Sequence, residues 1–282
     1  VMTYDAVGQG SLDYLPCRYG TSKVLFRGPR KSLKKPYIAF FGGTETYGKF
    51  VAEPFPDLLE KKLGMPCVNL GCTNAGIEVF ASDPHLAEIG AGAKVTVIQV
   101  LSAQNMSNRF YSVHPRRNDR FLKPSGLLEA IFRDVDFAEF NFNKHLLTHL
   151  NTVSPERFRT VREELQSAWV ARMRHLLGRI TGRTVLLWFG EADPDNRDNG
   201  MGRDPWFITR EMIEMLRSEV TEIVEVMPSE YAREQGTEGM VFSELERPAA
   251  ETMLGPVAHQ EAAAALAPVL RKLVGQAACA DT

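Results

Sequence analysis

The sequence has little of what marks the function classes with the strongest signatures. Its 282 residues carry a formal net charge of −2, which excludes the basic surface that drives nucleic-acid binding. Its apolar runs stay below the ~20 residues of a membrane span, and its start has no signal-peptide pattern. We therefore predict a small-molecule or glycoconjugate substrate, no nucleic acid and no membrane span. A homo-oligomer stays open.

Cysteine and histidine motifs are also sparse. The four cysteines form neither a CxxC pair nor a zinc-ligand spacing, so reduced thiols in a cytoplasmic protein are expected. His145 and His149 share a helical face, but no HExxH pattern accompanies them, which favours packing over metal binding. We predict no metal and no cofactor.

Apolar segments recur along the chain and end in polar or glycine-rich turns. They begin near Tyr37, Met65, Thr96, Thr184 and Glu222, and segments with helical periodicity separate them. No credible tight hairpin interrupts the series. The alternation predicts a five-stranded parallel sheet with helices on both faces, a three-layer α/β/α sandwich. In such a sheet the ligand crevice lies beyond the carboxyl ends of the strands.

The same reading divides the chain into three parts. Residues 1–36 form a polar arm packed on the domain, residues 37–275 the α/β domain, and residues 276–282 a flexible tail. The domain carries a partly helical insertion at about 109–180. In the arm, a basic patch either covers the surface or holds an anionic substrate, and consists of Arg27, Arg30 and Lys31.

The turn after the first strand carries a resemblance. Gly42-Gly43-Thr44-Glu45-Thr46-Tyr47-Gly48 resembles the first block of the SGNH (GDSL) hydrolases, Gly-Asp-Ser-x-Thr-x-Gly, with Thr44 at the nucleophilic serine. Three later segments resemble further blocks of that family in the same order: Asn69–Asn74, Ser102–Asn105 and Pro256–His259. The resemblance implies a flavodoxin-like SGNH hydrolase fold.

The resemblance also implies roles for an acyl-transfer site. Thr44 would be the nucleophile, although its hydroxyl could instead cap the helix or bind a ligand, and His259 would be the base. Pro256 replaces the family's aspartate, so a carbonyl, Glu251 or Glu261 would have to orient the imidazole. The oxyanion would be held by the N–H of Gly71 and the amide of Gln104 or Asn105.

Substrate contacts are predicted around these groups, for Gly43, Glu45, Asn74, Ser102, Arg109 and Glu191. The expected function is an SGNH-like hydrolase or acyltransferase that acts on an ester or acyl group of a carbohydrate or lipid conjugate. A catalytically impaired SGNH-like binding protein is one alternative, favoured by the lost aspartate and the threonine. A transferase with a phosphate- or sulfate-bearing donor is another, and the arginines at 109–120 would serve it unless they form a solvated loop.

Overall fold

A computed structural model of the chain describes residues 11–195 and 200–280, with side chains up to residue 275. Residues 1–10, 196–199 and 281–282 lie outside the described parts. The start of the predicted arm, the end of the predicted tail and part of the polar loop after the fourth predicted strand therefore lie outside them too.

Within the described ranges there are seven strands: β1 (Ile38–Gly42), β2 (Cys67–Gly71), β3 (Val95–Gln99), β4 (Tyr111–His114), β5 (Arg117–Pro124), β6 (Arg183–Phe189) and β7 (Glu222–Val226). Five of them form one parallel sheet in the order β2-β1-β3-β6-β7. Every residue of β1, β2 and β3 is buried, which explains their unbroken apolar runs. The predicted five-stranded parallel sheet is confirmed.

Helices flank this sheet. Those of the described residues are α1 (Thr44–Tyr47), α2 (Phe55–Leu63), α3 (Ile77–Ala81), α4 (Pro84–Gly92), α5 (Gly126–Ile131), α6 (Asn143–Val153), α7 (Pro155–Arg179), α8 (Arg210–Glu214), α9 (Glu230–Glu234), α10 (Arg247–Ala250) and α11 (Pro256–Ala280). The sequence Ser154-Pro155-Glu156 predicts a helix start. The structure confirms it, because the Ser154 side chain accepts the N–H of Arg157 and caps α7. None of the described helices is both long and apolar enough to cross a membrane.

Alternate residues of the buried strands face two separate cores. Ile38 and Phe40 belong to a core that includes side chains of α2 and α11. Ala39 and Phe41 belong to the other core, which includes side chains of α3, α4 and α7. Because side chains alternate across a strand, one apolar run supplies both faces of the sheet.

Two local predictions were wrong. The helical spacing of Phe50, Leu58 and Leu63 predicts one continuous helix, but this helix is interrupted, because Phe50 has a left-handed φ of 67° and α2 begins only after Pro54. The basic loop from Arg109 to Arg120 is largely a hairpin of β4 and β5, although its turn has no Asn-Gly or Gly signal. The last helix, α11, continues to Ala280, into the segment predicted as a flexible tail, and the flexibility of that tail stays a prediction.

The described part of the arm is tied to the domain through Arg27. Its guanidinium is buried and donates to the carbonyl oxygens of Gly48, Val51 and Ala52 at 2.7, 2.8 and 2.7 Å. These bonds hold the segment between α1 and α2, so Arg27 is not free for an anionic substrate. Lys31 is paired as well, with Glu60 at 2.6 Å, so the contacts of these two residues favour the packed arm over the anion-binding alternative.

Candidate functional site

A cavity of about 860 Å³ opens where β1 and β3 end side by side. The connection after β1 leads to β2 on one side, whereas the connection after β3 leads to β6 on the other, so the two run in opposite directions at this point. Such a switch point leaves a crevice beyond the carboxyl ends of the strands. The predicted site residues that line it are Gly43, Thr44, Glu45, Asn74, Ser102, Gln104, Asn105 and Glu191. The residues at the ends of these strands therefore share one site.

Thr44 joins the first two turns of this edge. Its Oγ1 accepts the backbone N–H of Asn74 at 3.0 Å and lies 3.5 Å from Asn74 Oδ1, a long contact for a hydroxyl donor. Asn74 has a left-handed φ of 55°, a conformation that asparagine tolerates. Gly43, not Thr44, is the N-cap of α1. The hydroxyl therefore connects two loops instead of capping the helix, and its proton is only weakly engaged.

Glu45 is held beside Thr44 by the last residue of β3. Gln99 Oε1 accepts the Gly43 N–H at 2.9 Å and the Thr46 hydroxyl at 2.7 Å. Because the Gly43 N–H can only donate, the Gln99 oxygen must face it, and the Gln99 Nε2 then faces Glu45, whose Oε2 accepts at 2.8 Å. Burial raises the pKa of Glu45, and the Gln99 bond opposes that rise.

Asn105 is the amide better placed at the cavity. Its Oδ1 accepts from Asn143 Nδ2 at 3.1 Å, so its Nδ2 faces Asn74, to whose carbonyl it donates at 3.3 Å. One further N–H of that amide remains for a ligand. Gln104 is fully buried, and neither of its side-chain atoms has a partner in the described part of the chain. The geometry therefore favours Asn105 over Gln104 as an oxyanion donor.

Gly71 is not placed for the role that the resemblance implies. Its N–H donates to Asn69 Oδ1 at 2.9 Å, so it is already occupied. Its glycine identity has a packing reason, because a Cβ there would lie 2.2 Å from the backbone nitrogen of Tyr47. Gly71 lets α1 approach β2 and does not supply an oxyanion donor.

His259 lies in the core on the α11 side and is not among the residues that line the cavity. Its ring lies between Phe55 and Phe189, and its Nδ1 accepts the Phe55 N–H at 3.1 Å. Since Nδ1 is the acceptor, the neutral ring carries its proton on Nε2, the atom that a base would need free. Burial lowers the pKa of His259 to about 3. The dyad of Thr44 and His259 is not formed.

The expected helpers of His259 are elsewhere. The Glu261 carboxylate accepts the backbone N–H of Ser229 at the start of α9. Glu251 lines the cavity, where His259 is absent. The imidazole is therefore oriented by the Phe55 N–H.

The rim of the cavity is held by charged pairs. Asp204 accepts from Ser102 Oγ at 2.9 Å and from Lys144 Nζ at 2.6 Å. Arg203 lies 3.8 Å from Glu191. Arg109 is exposed, pairs with Glu164 at 3.4 Å and does not line the cavity. Lys144 and Arg203, the lysine and arginine among the described residues that line the cavity, thus already have carboxylate neighbours.

Several cavity residues were missed from the sequence. Gln99 is the one polar side chain in Val97-Ile98-Gln99-Val100-Leu101, and that interruption is a usable signal. Asp119, Lys144 and Asp204 have no local signal, because distant segments bring them to the site. Burial raises the pKa of Asp119 as well. His145 packs on Phe140, as expected, yet also lines the cavity. No group of three potential metal ligands occurs in the ranges described.

A family model described as a domain of unknown function (DUF6473) matches residues 2–274, nearly the whole chain. No curated protein matches the sequence.

Proposed function

The chain belongs to the DUF6473 family, a family of unknown function, and we propose that it acts on an ester or acyl group of a hydroxyl-rich ligand such as a carbohydrate conjugate. The observation that carries this proposal is the junction of Thr44, Asn74 and Asn105 at the cavity. One weakly engaged hydroxyl and one spare amide N–H meet there, beside a carboxyl group. Such donors suit the oxyanion of acyl transfer.

The strand order supports the SGNH-like part of this proposal. Counting only the strands of the main sheet, the order is 2-1-3-4-5, which is that of flavodoxin-like folds. The first block then follows the first strand of the sheet, and the third block follows β3. An SGNH-like ancestry accounts for both the order and the location of the site.

The lining of the cavity supports a hydroxyl-rich ligand over an anionic one. Among the polar side chains that line the cavity, carboxyl and amide groups predominate, and Phe142 and Phe189 add apolar surface. In the part of the chain that the structure describes, the lysine and arginine side chains that line it are Lys144 and Arg203, and they are next to Asp204 and Glu191. A phosphate- or sulfate-bearing donor would need cations that are not already neutralised, so this alternative has little support.

A second function, binding without catalysis, is favoured by the position of His259. A buried imidazole with a depressed pKa and an occupied Nδ1 does not accept a proton from Thr44. If no other group serves as base, the cavity would bind its ligand and leave it unchanged.

Ester turnover separates the two functions. The purified protein is incubated with p-nitrophenyl acetate, p-nitrophenyl butyrate and glucose pentaacetate, alongside Thr44→Ala and Thr44→Ser. The proposal expects turnover by the wild type and a loss of about 10-fold or more in kcat/KM for Thr44→Ala, with Thr44→Ser retaining activity.

His259→Asn is the matched control, since its side-chain oxygen still accepts the Phe55 N–H. It keeps ester turnover if His259 is structural. Absence of turnover by the wild type, together with saturable binding of a sugar ester by calorimetry, would establish the binding protein instead.

A further inference from the structure

We propose that Glu45 is the proton acceptor and donor of this site, and that it activates water in place of the serine–histidine pair of the SGNH hydrolases. The inference rests on the proposed ester chemistry and deepens it. Its starting point is an arrangement of three side chains, Glu45, Gln99 and Thr44, at the ends of β1 and β3.

Gln99 fixes the Glu45 carboxyl group with one defined orientation. The Gln99 oxygen is occupied by two donors, and its nitrogen lies 3.5 Å from the Phe189 carbonyl as well as 2.8 Å from Glu45 Oε2. An amide flip would place like partners together at three of the four contacts, because only the Thr46 hydroxyl can accept as well as donate. The other Glu45 oxygen has no hydrogen bond to another residue that the structure describes.

The surroundings of Glu45 favour proton transfer. The carboxyl group is in a cavity wall, where burial makes it a stronger base than an exposed glutamate. On the rim, the charge of Asp204 strengthens that tendency, while Lys144 weakens it. His259, the alternative base, is committed to Phe55. Glu45 therefore combines access, fixed orientation and basicity.

The reaction is a direct hydrolysis. The water oxygen bonds to the acyl carbon as the Glu45 carboxylate takes one water proton, and the carbonyl oxygen becomes an oxyanion. The spare N–H of Asn105 and the Thr44 hydroxyl donate to that oxyanion. The intermediate then loses the alcohol oxygen, which receives the proton from Glu45. An ester and a water become an acid and an alcohol, and Thr44 is never acylated.

The test compares Glu45→Gln, Glu45→Asp and the exposed control Glu244→Gln in the same ester assays, over a range of pH. Glu45→Gln keeps the acceptor for Gln99, so it should fold, and its thermal midpoint verifies this. We expect it to lower kcat by about 100-fold or more and to remove the acidic limb of the pH profile. Glu45→Asp should retain part of the activity, and Glu244→Gln all of it.

Mass spectrometry of the protein during turnover completes the test. An unmodified protein supports the water mechanism. An acylated Thr44, or a Glu45→Gln variant within about 3-fold of wild type, overturns the role of Glu45 while the ester activity stands. Absence of wild-type turnover overturns the proposed function, and the role of Glu45 with it.

Discussion

The Phe55 N–H donates to Nδ1 of His259 at 3.1 Å and so joins the start of α2 to the start of α11, 204 residues later. Phe55 also lies against the imidazole, with ring centroids 5.9 Å apart. A residue that the sequence suggested as a base thus holds two helices of the same core together. This relationship has a consequence for stability.

His259 should make the protein less stable in acid. Its pKa falls from about 6.5 in the unfolded chain to about 3 in the folded one, so the unfolded chain binds more protons between these values. Stability is therefore complete above about pH 6.5 and declines as the pH falls toward 3. By pH ~4.5 the loss should be on the order of 2 kcal/mol. Urea unfolding of wild type and His259→Asn, at about pH 7 and about pH 4.5, measures this loss.

The measurement compares the pH dependence of stability between wild type and His259→Asn. This comparison is needed because Glu45 and Asp119 change stability with pH in the direction opposite to His259. Their raised pKa values favour the protonated form in the folded state, which adds stability at low pH. Both proteins share that contribution. Equal pH slopes for wild type and His259→Asn would contradict a neutral, buried imidazole.

Arg27→Ala should destabilise the fold strongly. It leaves the carbonyl oxygens of Gly48, Val51 and Ala52 without their charged donor, in a buried setting. A loss of about 2–4 kcal/mol in the free energy of unfolding is expected. Arg30→Ala is the matched control, because Arg30 is exposed, and it should change stability by less than about 0.5 kcal/mol. Similar free energies of unfolding for the two variants would contradict the role of Arg27 in holding this segment.

Gly71→Ala and Gly178→Ala should act in opposite directions. A methyl group at Gly71 would lie 2.2 Å from the Tyr47 nitrogen, so α1 must move away from β2 and both stability and site geometry suffer. Gly178 lies inside α7 with no atom within 4 Å of the added Cβ. Alanine there should stabilise by up to about 1 kcal/mol. Thermal melts decide this, and a stable Gly71→Ala protein would contradict the close approach.

Asn143→Ala should destabilise the fold and loosen the Asn105 side chain at the site. The fully buried Asn143 Nδ2 contacts the Asn105 oxygen at 3.1 Å, the Gln104 carbonyl at 3.2 Å and the Asn118 carbonyl at 2.6 Å. Its loss should cost about 1–3 kcal/mol and free the Asn105 amide to rotate. Where ester turnover is measurable, kcat should fall more than KM rises. An unchanged kcat in a destabilised protein would limit Asn143 to a structural role.

The sequence predicted the sheet, and the edge at which the candidate site lies, more reliably than it predicted the roles of individual side chains. Apolar runs such as Tyr37–Phe41 identify buried strands from local pattern alone, and the turns after them must meet at one edge. Which side chains meet there depends on rotamers and long-range packing. His259 follows a recognisable motif, yet its ring turns into the core, and no local rule foretells the Phe55 bond.

The left-handed Phe50 and the interrupted segment around it were equally hidden. The helical spacing of Phe50 and Leu58 predicted one continuous helix. In the structure, the hydrogen bonds of Arg27 stabilise a non-helical segment between α1 and α2. The insertion hairpin lacked its usual turn residues, so its strands could not be distinguished from a basic loop.

The hydrogen bonds of Arg27 make the arm a structural component of the sheet edge at which the candidate site lies. A version of the chain shortened to begin at Tyr37 would keep every strand of the parallel sheet, yet it would lose the cation that organises the segment following α1. Thr44 and Glu45 belong to α1, so the positions of their side chains depend on Arg27, which precedes the first strand. A shortened version of this protein must therefore retain the segment that carries Arg27.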